Sequence, residues 1–77
     1  MDREGIDFVS WTQNVFSSMI QAVGWDDVSN ELLVTFTNGR IAAYQGVSED
    51  KASELANAPS VGGMFNAEIK HLPFRYV

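Results

Sequence analysis

Glu31-Leu32-Leu33-Val34-Thr35-Phe36-Thr37-Asn38-Gly39-Arg40 is the stretch that decides the fold of this 77-residue chain. Leu32, Val34 and Phe36 share one side of an extended segment, and Leu33, Thr35 and Thr37 the other, because strand side chains alternate. Asn38-Gly39 then signals a hairpin, since both central residues of a type I′ turn need positive φ. Arg40 to Gly46 is the return strand. Upstream, residues 17–26 read as a first strand, and Asp26-Asp27-Val28-Ser29-Asn30 as the turn out of it, rich in turn formers. The expectation is an α+β fold built on a three-stranded antiparallel meander.

Downstream, two short helices follow. Ser48 is placed to cap the first, with Glu49 and Asp50 at the positive end of its dipole and Ala52, Leu55 and Ala56 as its packing stripe. It must stop near Asn57-Ala58, because Pro59 disfavours helical geometry in the residue before it. Ser60 caps the second, whose first turn holds Gly62 and Gly63. Each glycine costs roughly 1 kcal/mol relative to alanine in a helix, a cost suited to close backbone approach. Packing on a sheet explains them, and so does a glycine-floored anion cradle. Phe65 and Ile69 share one helix face, Asn66 and Lys70 the next. Pro73 ends this helix, and Phe74-Arg75-Tyr76-Val77 runs out as an extended tail. Residues 1–16 fit two patterns: a helix with Phe8, Trp11, Val15 and Met19 in one stripe, or an extended arm. Either would pack late, on this chain or on a second subunit.

Size and composition set further bounds. Seventy-seven residues make one domain whose core is marginal, and without cysteine no disulfide reinforces it, so self-association is expected. No apolar run approaches the roughly 18 residues of a membrane span, and the acidic start Met-Asp-Arg-Glu-Gly lacks the order of a signal peptide. A cytoplasmic location is the resulting expectation. A net charge of −5 argues against a nonspecific phosphate-backbone binder. The acids concentrate in residues 1–62, nine against three basic residues, whereas residues 63–77 hold Lys70 and Arg75 against Glu68 alone. An anion site therefore belongs at the C-terminal end.

The chemical inventory points away from catalysis. His71 is the only histidine, so a triad or a metal site would have to be built around it alone. Ser17 and Ser18 lack an evident base, and Asp26-Asp27 reads as a solvated turn. No cofactor or metal is implied. What remains suits binding. Trp25, Tyr44, Phe65, Phe74 and Tyr76 can stack on flat rings, at about 1–3 kcal/mol per base, unless they are simply core. Arg40, Lys70 and Arg75 can meet phosphate, and Ser17, Ser18 and Asn66 can read polar edges.

Four motifs in fixed order carry a family resemblance. They are Ser17-Ser18-x-Ile20-x-x-Val23-Gly24-Trp25-Asp26, Leu33-x-x-Phe36-x-x-Gly39, Tyr44-x-Gly46-Val47, and Ser60-x-Gly62-x-x-Phe65-Asn66-x-x-Ile69. Together they resemble the KTSC domain family, a small domain named for its place at the C-terminus of some lysyl-tRNA synthetases. The resemblance covers residues 15–76 and leaves 1–14 as an N-terminal extension. It departs from the family where Ala42-Ala43-Tyr44 replaces Tyr-x-Tyr, and where Trp25 stands for a frequent tyrosine. The family occurs as free-standing short proteins in bacteria and phages, and RNA binding has been suggested for it.

For this acidic chain the resemblance and the inventory together imply a noncatalytic homo-oligomer, dimer or tetramer, binding a nucleotide-like anion. In a phage setting that function would be a sponge, sequestering a cyclic (di)nucleotide signal of host defence. Ser17, Ser18 and Asn66 would hydrogen-bond the ligand, and the amides of Gly62 and Gly63 would face it. Trp25, Tyr44 or Phe65 would stack, and Lys70 and Arg75 would neutralise phosphate. An RNA-binding module, and a protein-interaction module exposing Trp11 and Phe16, are the alternatives.

Overall fold

The hairpin forms as its alternation requires, in a computed structural model that describes residues 9–77. Five antiparallel strands are present among the described residues, in the spatial order of the chain: β1 (Val9–Asn14), β2 (Ile20–Asp26), β3 (Glu31–Phe36), β4 (Ile41–Tyr44) and β5 (Phe74–Tyr76). Between β4 and β5 lie α1 (Glu49–Ala56) and α2 (Val61–Met64), the latter running on into a π-helical turn, Phe65–Ile69. The α+β class holds, but three expected strands become five.

Both additional strands have a physical reason. β5 is the expected extended tail, paired to β4 through Ala42–Tyr76, Ala43–Arg75 and Tyr44–Phe74. Three residues are too few to show a period, so this pairing had no local signal. β1 is the expected N-terminal arm, and it pairs with β2 of the same chain, with a register shift between Val9 and Trp11. Its side chains also clamp α1 at both ends. Trp11 Nε1 donates to Glu49 Oε2 at 3.0 Å, and Gln13 Nε2 donates to the Ala56 carbonyl at 3.1 Å. Phe8 and the acidic start lie outside the described residues. Ser17 and Ser18 sit in the β1–β2 loop rather than on a strand.

The hairpin turn also differs from expectation. Only Gly39 has positive φ (92°), not Asn38, and Gly39 N–H donates to the Phe36 carbonyl at 2.9 Å. This is a three-residue loop closed by a left-handed glycine, the next commonest hairpin connection.

Cross-strand register assigns the two sheet faces. Trp25, Leu32, Val34, Ala42 and Tyr44 point to the helices and are buried there with Leu55, Val61, Phe65 and Ile69. The opposite face carries an ion pair that spans three strands. Arg75 on β5 reaches across β4 to Glu31 on β3, Nη2 to Oε1 at 2.8 Å and Nε to Oε2 at 3.3 Å. Its side chain passes Ala43, which is fully buried beneath it. Ser29 Oγ donates to the same carboxylate at 2.8 Å, and Gln45 Nε2 lies 3.5 Å away. The Arg75 guanidinium, more than these hydroxyl and amide donors, holds the Glu31 carboxyl below its usual range against the opposing effect of burial. At the end of β2 burial raises the Asp26 pKa, but the amides of Val28 and Ser29 outweigh it and the net shift is downward.

A depressed carboxylate pKa contributes stability that is complete above the unfolded-state value, about 4.3 for glutamate, and lost as pH falls through the folded value. The chain is therefore expected to lose stability on acidification from about pH 4.3 downward. Glu31→Gln should lower the thermal midpoint at pH 7 and flatten that acid limb, leaving the part due to Asp26. Exchange of the Val77 amide, bonded to the Ile41 carbonyl at 2.9 Å, should accelerate in the variant. An unchanged acid limb would show that the pair does not fasten β5.

Candidate functional site

Loop β1–β2 and the α1–α2 corner meet at one end of the sheet, and between them lies an open cavity of about 370 Å³. Ser17, Ser18, Ser60, Gly62, Gly63 and Asn66 supply its polar wall, with Phe16, Met19, Pro59 and Val61 around them. Five of the ten expected ligand residues, Ser17, Ser18, Gly62, Gly63 and Asn66, are thus brought together from segments more than 40 positions apart in sequence.

Local chemistry explains the convergence. Ser17 Oγ accepts from the amides of Met19 at 3.3 Å and Ile20 at 3.4 Å, which bends the loop back into β2. Ser60 caps α2, its Oγ accepting from Gly63 N–H at 3.1 Å, while its carbonyl accepts from Met64 N–H at 3.0 Å. The two glycines serve close approach first. A Cβ on Gly62 would stand 3.3 Å from Ser17 Oγ, and one on Gly63 only 2.8 Å from Ser60 Oγ. At Gly63 the amide is already occupied by the cap, so it is not a spare anion donor.

The other five expected residues lie elsewhere. Trp25, Tyr44 and Phe65 are only 3–4% exposed. Phe65 makes edge-to-face contacts with Tyr44 (5.6 Å between centroids) and Phe36 (5.8 Å), so these rings form a core seam and offer no open stacking face. Burial pushes the Tyr44 phenol pKa upward, with Tyr76 adding to the shift. Arg75 is engaged by Glu31 on the sheet face away from the helices. Lys70 is exposed just past the π turn, where its amide donates to the Phe65 carbonyl at 2.9 Å. That i→i+5 bond widens the turn, so the one-turn spacing of Asn66 and Lys70 is not that of an α-helix. Lys70 does not line the cavity, nor does any other basic residue among the described residues.

Alternation alone would have put Trp25 and Tyr44 on the inner face, because Leu32 and Tyr44 are neighbours across β3–β4. Exposed aromatics occur at other positions. Phe16 is fully exposed beside the cavity, and Phe74 and Tyr76 are about half exposed, at 46% and 55%. Among the described residues no group of three His, Cys, Asp or Glu side chains could hold a metal ion. No helix among them is long and apolar enough to cross a membrane.

Comparison with known proteins agrees with the residue pattern. The KTSC domain model matches residues 16–76. The crystal structure of a KTSC domain protein from Yersinia pestis is similar, with 30% identity and a TM-score of 0.75, covering 87% of this chain and 96% of that one. No curated protein matches.

The Ser17–Gly62 contact is testable by a double-mutant cycle. Gly62→Ala alone gains helix propensity but forces its methyl against Ser17 Oγ, whereas with Ser17→Ala the clash is gone. The two substitutions should couple by about 0.5 kcal/mol or more, the range of residues in contact. Ser60→Ala should cost about 1 kcal/mol through loss of the cap. Additivity in urea titrations of the cycle would mean that loop and helix do not constrain each other.

Proposed function

The chain belongs to the KTSC domain family, and from that premise we propose that it is a noncatalytic, self-associating binder of a small nucleotide-like anion. One observation carries the reading. Two hydroxyls on a loop, Ser17 and Ser18, share a single cavity with Ser60 at the cap of α2 and Asn66 in the π turn that follows it. Hydroxyl and carboxamide groups at such spacing suit phosphate and ribose oxygens, which accept several donors at once. Ser18 and Asn66 are both exposed, so their donors face an incoming ligand without prior rearrangement.

Among the described residues the cavity wall holds no cation, and a second subunit is a natural source of one. Lys70 is exposed close in sequence to Asn66, and a two-fold pairing would let each subunit present its lysine to the other's cavity. In a cell invaded by a phage, such a dimer or tetramer would sequester a cyclic (di)nucleotide immune signal without converting it. A second reading has its own observation. Phe16, fully exposed on the cavity rim, would anchor a protein partner.

A thermal-shift screen against mono-, cyclic and cyclic di-nucleotides tests the proposal. A ligand at 100 times its dissociation constant stabilises by about 2.7 kcal/mol, and each kcal/mol moves the midpoint of so small a domain by about 4–8 °C. Ser18→Ala and Asn66→Ala should each weaken binding about tenfold, the loss of one or two hydrogen bonds to a charged group, and leave the unliganded midpoint unchanged. No shift with any nucleotide, in a folded sample, would overturn the reading in favour of the protein-partner one.

A further inference from the structure

We propose that the cleft formed by Arg40 and Tyr76, floored by Phe36 and Met19, is a subsite for a planar nitrogenous ring. It would hold the base of a nucleotide whose phosphate occupies the hydroxyl-lined cavity beside it. The inference deepens the anion-binding reading and rests on it for the phosphate, while the ring site stands on its own geometry.

Tyr76 lies on β5, an edge strand that the helices leave uncovered, and it keeps about half its surface exposed. The Arg40 guanidinium stands 4.7 Å from its ring centroid. Phe74 meets Tyr76 edge-on at 5.3 Å and is itself stacked on the buried Tyr44, with centroids 5.2 Å apart and planes 29° off parallel. The aromatic seam of the core thus continues to the surface and fixes the orientation of the exposed ring. Because the Arg40 guanidinium lies over the Tyr76 ring, a base would stack on the ring's other face or on the outer face of the guanidinium, both of which are flat surfaces suited to a π system.

Size and placement agree. The cleft measures about 210 Å³ and is lined by Met19, Phe36, Thr37, Asn38, Arg40 and Tyr76. That is room for one ring system rather than a whole nucleotide. Met19 also lines the hydroxyl cavity, so the two adjoin. Combined they fall within the roughly 300–1,000 Å³ of small-ligand sites. The spacing between them is held by the backbone: Thr37 N–H donates to the Met19 carbonyl at 3.0 Å, and Thr37 Oγ1 lies 3.5 Å from the Ser18 carbonyl. Asn38 Oδ1 accepts from the Arg40 amide at 2.9 Å, which orients its carboxamide nitrogen as a donor at the rim for a ring nitrogen or carbonyl.

The test is an NMR titration of the full-length labelled chain with adenosine, inorganic phosphate, AMP and hexa-adenylate, followed at backbone amides and the methionine methyls. Adenosine alone is expected to shift Met19 and the amides of residues 37–40, and phosphate alone those of Ser18, Gly63 and Asn66. AMP should shift both sets and bind at least tenfold more tightly than either fragment. Tyr76→Ala should weaken AMP and adenosine roughly ten- to a hundredfold, the range of base–aromatic stacking, and leave phosphate binding unchanged. Tyr76→Leu, which keeps the apolar bulk, should weaken them nearly as much if the ring face matters. Shifts from phosphate with none from adenosine would overturn the ring subsite and leave the anion reading standing; the reverse would sustain the subsite and overturn the anion reading. Hexa-adenylate binding far more tightly than AMP, with a steep salt dependence, would identify the source of the base as a nucleic-acid strand.

Discussion

The approach of the Ser17 hydroxyl to the bare Cα of Gly62 is the constraint on which the rest of the site depends. A methyl at position 62 would stand 3.3 Å from that oxygen, close enough that the β1–β2 loop would have to give by a few tenths of an ångström, and a larger side chain would press on it further. With glycine there, the loop closes against the helix start, Ser18 and Asn66 come to opposite sides of one cavity, and Met19 is carried round to join the neighbouring cleft. The loss of helix propensity at two successive glycines is offset by the serine cap and by this contact. The sheet beneath is fastened by a different device, the Glu31–Arg75 pair, which ties the last strand across β4 to the central hairpin.

Much of this was legible in the amino-acid order because it rests on local chemistry. Strand alternation placed Leu32, Val34 and Phe36, cap chemistry placed Ser48 and Ser60, and Pro59 bounded α1. What escaped is nonlocal or nearly degenerate. Trp11 and Val15 satisfy a helical and an extended spacing alike, and only pairing with β2 decides between them. β5 is three residues long, and its order comes from β4 and from Glu31, far away in sequence. The same limit governed the site. Hydroxyls and glycines converge because turns and caps fix them, whereas aromatic type alone does not distinguish a ring in the core from one in solvent. Trp25 and Tyr44 are inward by alternation, while Tyr76 is on the same face of the sheet but beyond the reach of the helices.

Electrostatics shape what the surface can recognise. A chain of net charge −5 repels anions at long range. At physiological salt that field is screened beyond about 8 Å, so local donors decide whether an anion stays. Arg75, held by Glu31, is not available as a donor without breaking the sheet's fastening. Lys51 is held by Glu68 at 2.7 Å, with Glu54 at 3.5 Å. Among the described residues that leaves Arg40 and Lys70 as cations without a carboxylate partner. A ligand that joins a ring to a compact anion would use such a surface better than a long polyanion, which needs a track of charges.

The most direct measurement is native mass spectrometry of the full chain incubated with cyclic di-AMP, cyclic GMP-AMP and their linear counterparts. The account predicts a homo-oligomer carrying at least one of these ligands in integral stoichiometry, with the ligand recovered at unaltered mass after denaturation. A monomer without any adduct, or a ligand recovered hydrolysed, would contradict it.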